Sequence, residues 1–255
     1  MQNIHSVARS YAQIAQTYSQ GRPSYPEQAQ TWLQQSLGLK PSRTAVEVGA
    51  GTGKFTRLLC GTGAAVVAVE PVKPMLVKLV EAYPAVQAVV AEAQSIPLPS
   101  GFADAVVCAQ SFHWFATQAA LQEFMRLLKP GGLLGLIWNV RDESVDWVQK
   151  VTDIITPYEG DAPRFYKMTW QAVVERSPLQ LVSYDRWAHQ HEGPLEDVII
   201  RRTMSVSFIA ALPKPQQASI LEQLKTLIAT HPALQGRERI AMPYTTQAWV
   251  YRRPA

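Results

Sequence analysis

Short runs of small and β-branched apolar residues punctuate the first half of the chain. They are TAVEV (44–48), AAVVAV (64–69), AVQAVV (85–90), DAVVCA (104–109) and LLGLIW (133–138). Each is too short for a helix and apolar at nearly every position, as expected for strands covered on both faces. Between them, apolar residues recur at helical spacing over 54–60, 74–82 and 117–128. Strands alternating with helices predict βαβ units and a parallel sheet. The joints carry turn chemistry. Gly61-Thr62-Gly63 closes the first of these helices, Pro97, Pro99 and Gly101 precede the fourth strand, and Lys129-Pro130-Gly131-Gly132 ends the helix after it.

After Asn139 the pattern loosens. Helical spacing returns over 146–155, 170–176, 195–204 and 215–230, while 179–190 and 245–253 read as two further strands. The expected fold is α/β: a Rossmann-like, doubly wound, seven-stranded, mostly parallel sheet with helices on both faces and a helical lid inserted in the C-terminal half. At ~150 residues per domain, the length predicts one domain over 1–255. It divides into N-terminal helices (1–40), a core (41–140), lid segments (141–178 and 191–240) and closing strands (179–190 and 245–253).

Composition narrows the function. Apolar residues are 47% and charged residues 17%, enough for a core and unlike a disordered chain. The net charge of +4 is spread along the chain with no dense basic tract, so no nucleic-acid partner is expected. Two cysteines, Cys60 and Cys108, lie in apolar stretches and make neither a disulfide framework nor a thiolate zinc cage. His189 and His191 share a strand face but have no third ligand nearby, so no metal is expected. The N-terminus lacks the apolar core of a signal peptide, and no apolar run approaches the ~18 residues of a membrane span. A cytoplasmic protein without membrane contact is the expectation.

The informative stretch is Glu47-Val48-Gly49-Ala50-Gly51-Thr52-Gly53-Lys54, leaving a strand and opening a helix. Glycines there let the backbone turn sharply and a ligand approach closely. A dinucleotide fingerprint, G-x-G-x-x-G, needs a third glycine at 54 or 56. Lys54 and Thr56 stand there instead. Glu47 inside the turn opposes a diphosphate and suits a ligand carrying an ammonium and a sulfonium. Glu70 ends the next strand at the distance suited to ribose hydroxyls, and Glu92 follows the third strand, where it could accept from an adenine amino group. An NAD(P)-linked oxidoreductase and a non-catalytic cofactor-binding module are the competing readings.

Five motifs in order, EVGAGTG, VAVEP, AEAQSIPLP, FADAVVCAQSFHWF and LKPGGLLGLIWN, resemble class I S-adenosylmethionine-dependent methyltransferases of the type 11 group over residues ~40–140. SFHWF and the C-terminal pattern are similar to trans-aconitate methyltransferase-like proteins, which methylate small carboxylic acids. The resemblance implies S-adenosyl-L-methionine as cofactor and S-adenosyl-L-homocysteine as product. It implies that Glu47 holds the methionine ammonium, that Gly49, Gly51 and Gly53 admit the ligand and the helix, and that Glu70 binds the ribose. It further implies that Glu92 and Ala93 meet the adenine and that Gln110 faces the sulfonium. Tyr11 and Tyr18, on the N-terminal helices, would close over the cofactor. Lys54, beside a cationic ligand, is expected to point outward.

Methyl transfer from a sulfonium is an in-line displacement, so the protein must mainly align the acceptor and exclude water. A carboxylate acceptor needs no base, whereas a hydroxyl, amine or carbon acid does. His113 is the candidate base, and Asn139 is a candidate at the rim. Arg141, Arg201, Arg202 and Ser205, with Trp114, are candidates for holding a small acidic substrate, since an arginine fork binds carboxylate bidentately. Arg201 and Arg202 are adjacent on a helix and project ~100° apart, so they need not share a target. The expected function is O-methylation of a small organic acid.

Overall fold

The computed structural model describes residues 22–255; Tyr11 and Tyr18 lie outside them. The core elements are α1 (Gln28–Gln35), β1 (Thr44–Val48), α2 (Thr56–Gly61), β2 (Ala65–Val69), α3 (Lys73–Ala82), β3 (Gln87–Val89), β4 (Ala103–Ala109), α4 (Gln118–Leu127) and β5 (Leu128–Arg141). Then come α5 (Asp146–Ile155), α6 (Thr169–Glu175), β6 (Gln180–Pro194), a π-helical turn (Glu196–Arg201), α7 (Arg202–Met204), α8 (Ser207–Ala210), α9 (Lys214–Thr230) and β7 (Arg239–Arg252). The seven strands form one sheet in the order β3-β2-β1-β4-β5-β7-β6. β1 to β5 are parallel, and β7 runs antiparallel between β5 and β6.

Successive side chains of a strand point to opposite faces, so a strand covered on both sides must be apolar throughout. Val46 and Val48 of β1, with Val106 and Cys108 of β4, face a core containing Phe112, Phe124 and Trp138. Ala45, Ala105 and Val107 face the opposite core, with Trp32, Leu59 and Leu79. A Cβ at Gly135 would come within 2.8 Å of Leu37 and 2.9 Å of Trp32, so α1 and its following turn lie directly on β5.

The strand limits differ from the sequence pattern. β5 runs through Pro130-Gly131-Gly132, which reads as a turn. β6 continues to Pro194 and β7 begins at Arg239, because the two pair without a break from Gln180↔Arg252, apart from one bulge, to Pro194↔Arg239. Cross-strand hydrogen bonds continue there where apolar alternation has faded. β3 is shorter than its apolar run and mostly exposed, because it pairs only with β2 at the sheet edge.

α5, the π-helical turn, α8 and α9 build a third core with Trp147, Val198, Ile199, Phe208 and Leu224, closed by Met242 and Tyr244 of β7. This cap sits on the far halves of β6 and β7. Among the described residues no helix is long and apolar enough to cross a membrane. Between β1 and β4 the sheet reverses its winding. α2 packs on one face through Leu58 and Leu59, α4 on the other through Leu121 and Phe124. The divergence opens a crevice at the C-terminal strand ends, where open α/β sheets place ligands.

Candidate active site

The glycine turn after β1 forms one wall of the crevice. Gly49, Gly51 and Gly53 all have left-handed backbones, with φ of 74°, 59° and 87°. Gly49 is the most constrained: a Cβ there would stand 2.5 Å from the Cβ of Ser111, whose hydroxyl donates to the Val48 carbonyl at 2.8 Å. The turn is pinned to β2, since the Gly49 amide donates to the Val69 carbonyl at 2.9 Å.

Two carboxylates line this wall. Glu70, buried at the end of β2, accepts from the Gly51 amide through Oε2 at 2.9 Å and from the Val72 amide through Oε1 at 3.0 Å. Burial raises its pKa, and the two amide hydrogen bonds oppose the rise. Each oxygen keeps a second lone pair for a hydroxyl donor. Glu47 accepts from Thr56 Oγ1 at 2.5 Å, and burial, with a smaller contribution from Glu70, raises its pKa to about 8. A buried carboxyl of this kind recovers its charge when a cation binds beside it. Glu92 and Ala93 lie across the crevice, with Gln94 Nε2 donating to Glu92 Oε2 at 2.9 Å.

The floor is Gln110, a non-glycine residue with φ of 56°. Its amide donates to the Ile137 carbonyl at 2.9 Å and its Nε2 to the Asn139 carbonyl at 3.1 Å. Asn139 Oδ1 accepts from Thr246 Oγ1 at 2.7 Å, and Nδ2 donates to the Ser24 carbonyl at 2.8 Å. Asn139 thus ties β5, β7 and the segment entering α1 together.

Lys54 does not point outward. It lines the crevice, and its Nζ donates to the Arg22 carbonyl. The segment before α1 crosses the mouth and offers that carbonyl, which sequence spacing could not show. Burial, then the charges of Arg22 and Arg202, lower the Lys54 pKa to about 8.

A second chamber adjoins the first and shares Arg22, Gln110, Trp114, Asn139 and Arg202 with it. His113 and Arg141 line it too, together with Arg164, Phe165, Tyr166 and Phe208, which the sequence pattern did not single out. Arg202 Nε donates to the Tyr244 hydroxyl at 3.2 Å, while its buried Nη1 has no hydrogen-bond partner among the described residues. Arg141, with a side chain 9% exposed, approaches Glu143 only to 3.8 Å. Arg164 approaches Glu159 to 4.0 Å and lies 4.9 Å over the Phe208 ring, but Glu159 is engaged by Lys167 at 3.1 Å. Burial lowers the pKa of Arg141 and Arg164, and lowers that of Arg202 to about 10. Arg22 and its neighbours in this set repel one another, which adds to the effect.

Two expected substrate contacts fall elsewhere. Ser205 lines neither chamber: its hydroxyl donates to the Arg202 carbonyl at 2.8 Å, and its own carbonyl accepts from Arg22 Nη2 at 2.9 Å. Arg201 turns away to Asp197 at 2.9 Å. His113 is at the site, but its Nδ1 accepts from Trp138 Nε1 at 3.1 Å. Burial first, then Arg164 and Arg22, push its pKa down to about 3. That nitrogen is occupied and the ring resists protonation, which weighs against a general base. Arg164 and Arg22 carried no detectable signal, because each reaches the chamber from an irregular segment.

The chain is 36% identical over 243 residues to an uncharacterized methyltransferase of Mycobacterium tuberculosis, with 94% of each chain covered. It is 34% identical over 233 residues to an uncharacterized methyltransferase-like protein of Schizosaccharomyces pombe, with 91% of each covered. A family model described as a methyltransferase domain matches residues 46–136. The chain belongs to the S-adenosylmethionine-dependent methyltransferases. The nicotinamide reading and the non-catalytic reading are set aside. Among solved structures, a geranyl diphosphate C-methyltransferase from Streptomyces coelicolor, in complex with S-adenosyl-L-homocysteine, superposes with a TM-score of 0.51 at 14% identity. That match covers 89% of this methyltransferase and 75% of the other chain. The [4+2]-cyclase SpnF superposes with a TM-score of 0.55 at 16% identity, covering 92% and 85%. A methyltransferase and a cyclase on one scaffold illustrate that substrate chemistry is set by the site and not by the sheet.

The crevice fits the cofactor. Its glycine turn leaves room beside Glu70, and two buried carboxylates, Glu47 and Glu70, line the same space. When bound, S-adenosylmethionine supplies a methyl group on a positively charged sulfur.

Proposed function

We propose that this methyltransferase esterifies a small organic acid on a carboxylate oxygen. The carrying observation is the set of guanidiniums of Arg141, Arg164 and Arg202 around one chamber; among the described residues none has a carboxylate closer than 3.8 Å, the distance from Arg141 to Glu143, which lines the same chamber. Buried cations are costly without an anion, and a carboxylate substrate supplies one. A carboxylate also arrives ionised, so the chamber needs no base.

In this reading Glu47 receives the methionine ammonium and Glu70 the ribose hydroxyls, while Glu92 and Ala93 meet the adenine. Gln110 stands at the junction of the two chambers, where the methyl group and the acceptor oxygen meet. Arg202 and Arg141 bind the acid, Trp114 forms the shared wall, and Asn139 holds the segment before α1 in place. The chain acts as one methyltransferase domain, with the segment before α1 at the mouth of the crevice and the helical cap serving as a lid.

The test is release of S-adenosylhomocysteine across a panel of mono-, di- and tricarboxylic acids, phenols and amines. The acids should be turned over and should yield an alkali-labile methyl ester. A methyl group found on nitrogen or on a phenolic oxygen would overturn the reading.

A further inference from the structure

The Trp138 indole is fully buried and caged by Phe165, Trp170 and Trp249, with ring centroids 5.0, 4.7 and 5.6 Å away. Its Nε1 lies 3.1 Å from His113 Nδ1. An indole N–H only donates, so Nδ1 must present a lone pair, and the proton of the neutral imidazole resides on Nε2. His113 lines the arginine chamber. The charged groups acting on it are the guanidiniums of Arg164, from the loop before α6, and Arg22, from the segment before α1. Both disfavour an imidazolium, in keeping with the depressed pKa.

We propose that Trp138 is a positioning residue that locks His113 as a neutral Nε2–H donor to an anionic oxygen of the substrate. This rests on the acid reading above. A base would need its lone pair on the chamber side. Moving the proton to Nδ1 would set an N–H against the indole N–H inside a rigid aromatic cage, leaving two buried donors unpaired. The chamber therefore holds a neutral imidazole donor beside the guanidiniums of Arg22, Arg141, Arg164 and Arg202. The donor adds direction to the charge, because a hydrogen bond specifies where an oxygen sits and a diffuse positive field does not.

Two measurements test this. In the 15N spectrum of histidine-labelled protein between pH 5 and 9, His113 should show an unprotonated Nδ1, a protonated Nε2 and no titration. A proton on Nδ1, or an ionisation within that range, would overturn the lock. Kinetics then use the best acid from the panel. His113→Gln supplies an amide oxygen for the indole and an N–H for the chamber, and should keep kcat/KM within about threefold. His113→Ala should lose about tenfold, through KM, with S-adenosylhomocysteine affinity little changed. Trp138→Phe keeps a ring in the cage but removes the donor. It should raise KM similarly and populate the Nδ1–H tautomer of His113 in the 15N spectrum. If the three variants shift Tm but leave KM alone, the pair is merely structural and the proposal fails. If no acid is turned over, the acid reading fails and the donor role falls with it, while the spectrum still decides the tautomer.

Discussion

Glu70 and Gly51 act as one unit: the glycine amide donates to Oε2 of the acid at 2.9 Å. The carboxylate at the end of β2 thereby fixes the turn that follows β1. Glu70→Ala removes this link and the bond to Val72 together. It should weaken cofactor binding by about 1–3 kcal/mol in calorimetry. Unaltered affinity would mean that the acid holds backbone alone.

Gly49 tests the turn from the steric side. Gly49→Ala places a Cβ 2.5 Å from the Cβ of Ser111 on a backbone with φ of 74°. Overpacking and left-handed strain together should cost about 2–4 kcal/mol in chemical denaturation, with cofactor binding reduced as well. A variant as stable as the parent would show that Ser111 can withdraw freely.

Glu47 should make cofactor binding pH-dependent. Its carboxyl, with a pKa raised to about 8 by burial, is mostly protonated at pH 7 in the unliganded protein. An ammonium beside it favours the ionised form, so binding should release close to one proton at pH 7. Affinity should rise with pH up to about 8 and level off above. Calorimetry in buffers of different ionisation enthalpy measures the release. Glu47→Gln should abolish it; release undiminished in that variant would assign the proton elsewhere.

Arg202 separates stability from function. Its buried Nη1 has no partner among the described residues, and its Nε donates to the Tyr244 hydroxyl. Arg202→Met removes a costly buried charge and keeps apolar volume. Tm should hold or rise, while KM for the acid increases about tenfold or more. A fall in Tm with KM unchanged would make the arginine structural.

Legibility in the sequence followed how local each feature is. Glu47, Gly49, Gly51, Gly53 and Glu70 were readable because a strand-turn-helix unit is set by neighbouring residues, and its conformation needs those residue types in that order. Lys54 was misread because the carbonyl that draws it inward lies 32 positions earlier, on Arg22. Ser205 was misplaced for a different reason: its hydroxyl turns back to the Arg202 carbonyl three positions earlier, a local choice that residue type alone does not fix.

The sequence by itself determined an α/β sheet, its five parallel strands and the glycine-and-acid crevice, because apolar periodicity and turn chemistry act over a few residues. Tertiary structure decided the arginine chamber and the tautomer of His113. Arg22, Arg141, Arg164 and Arg202 come from four distant segments, and the Trp138 that dictates the proton of His113 stands on the adjacent strand. Charge repulsion and hydrogen-bond direction depend on distances in space, which chain order does not encode.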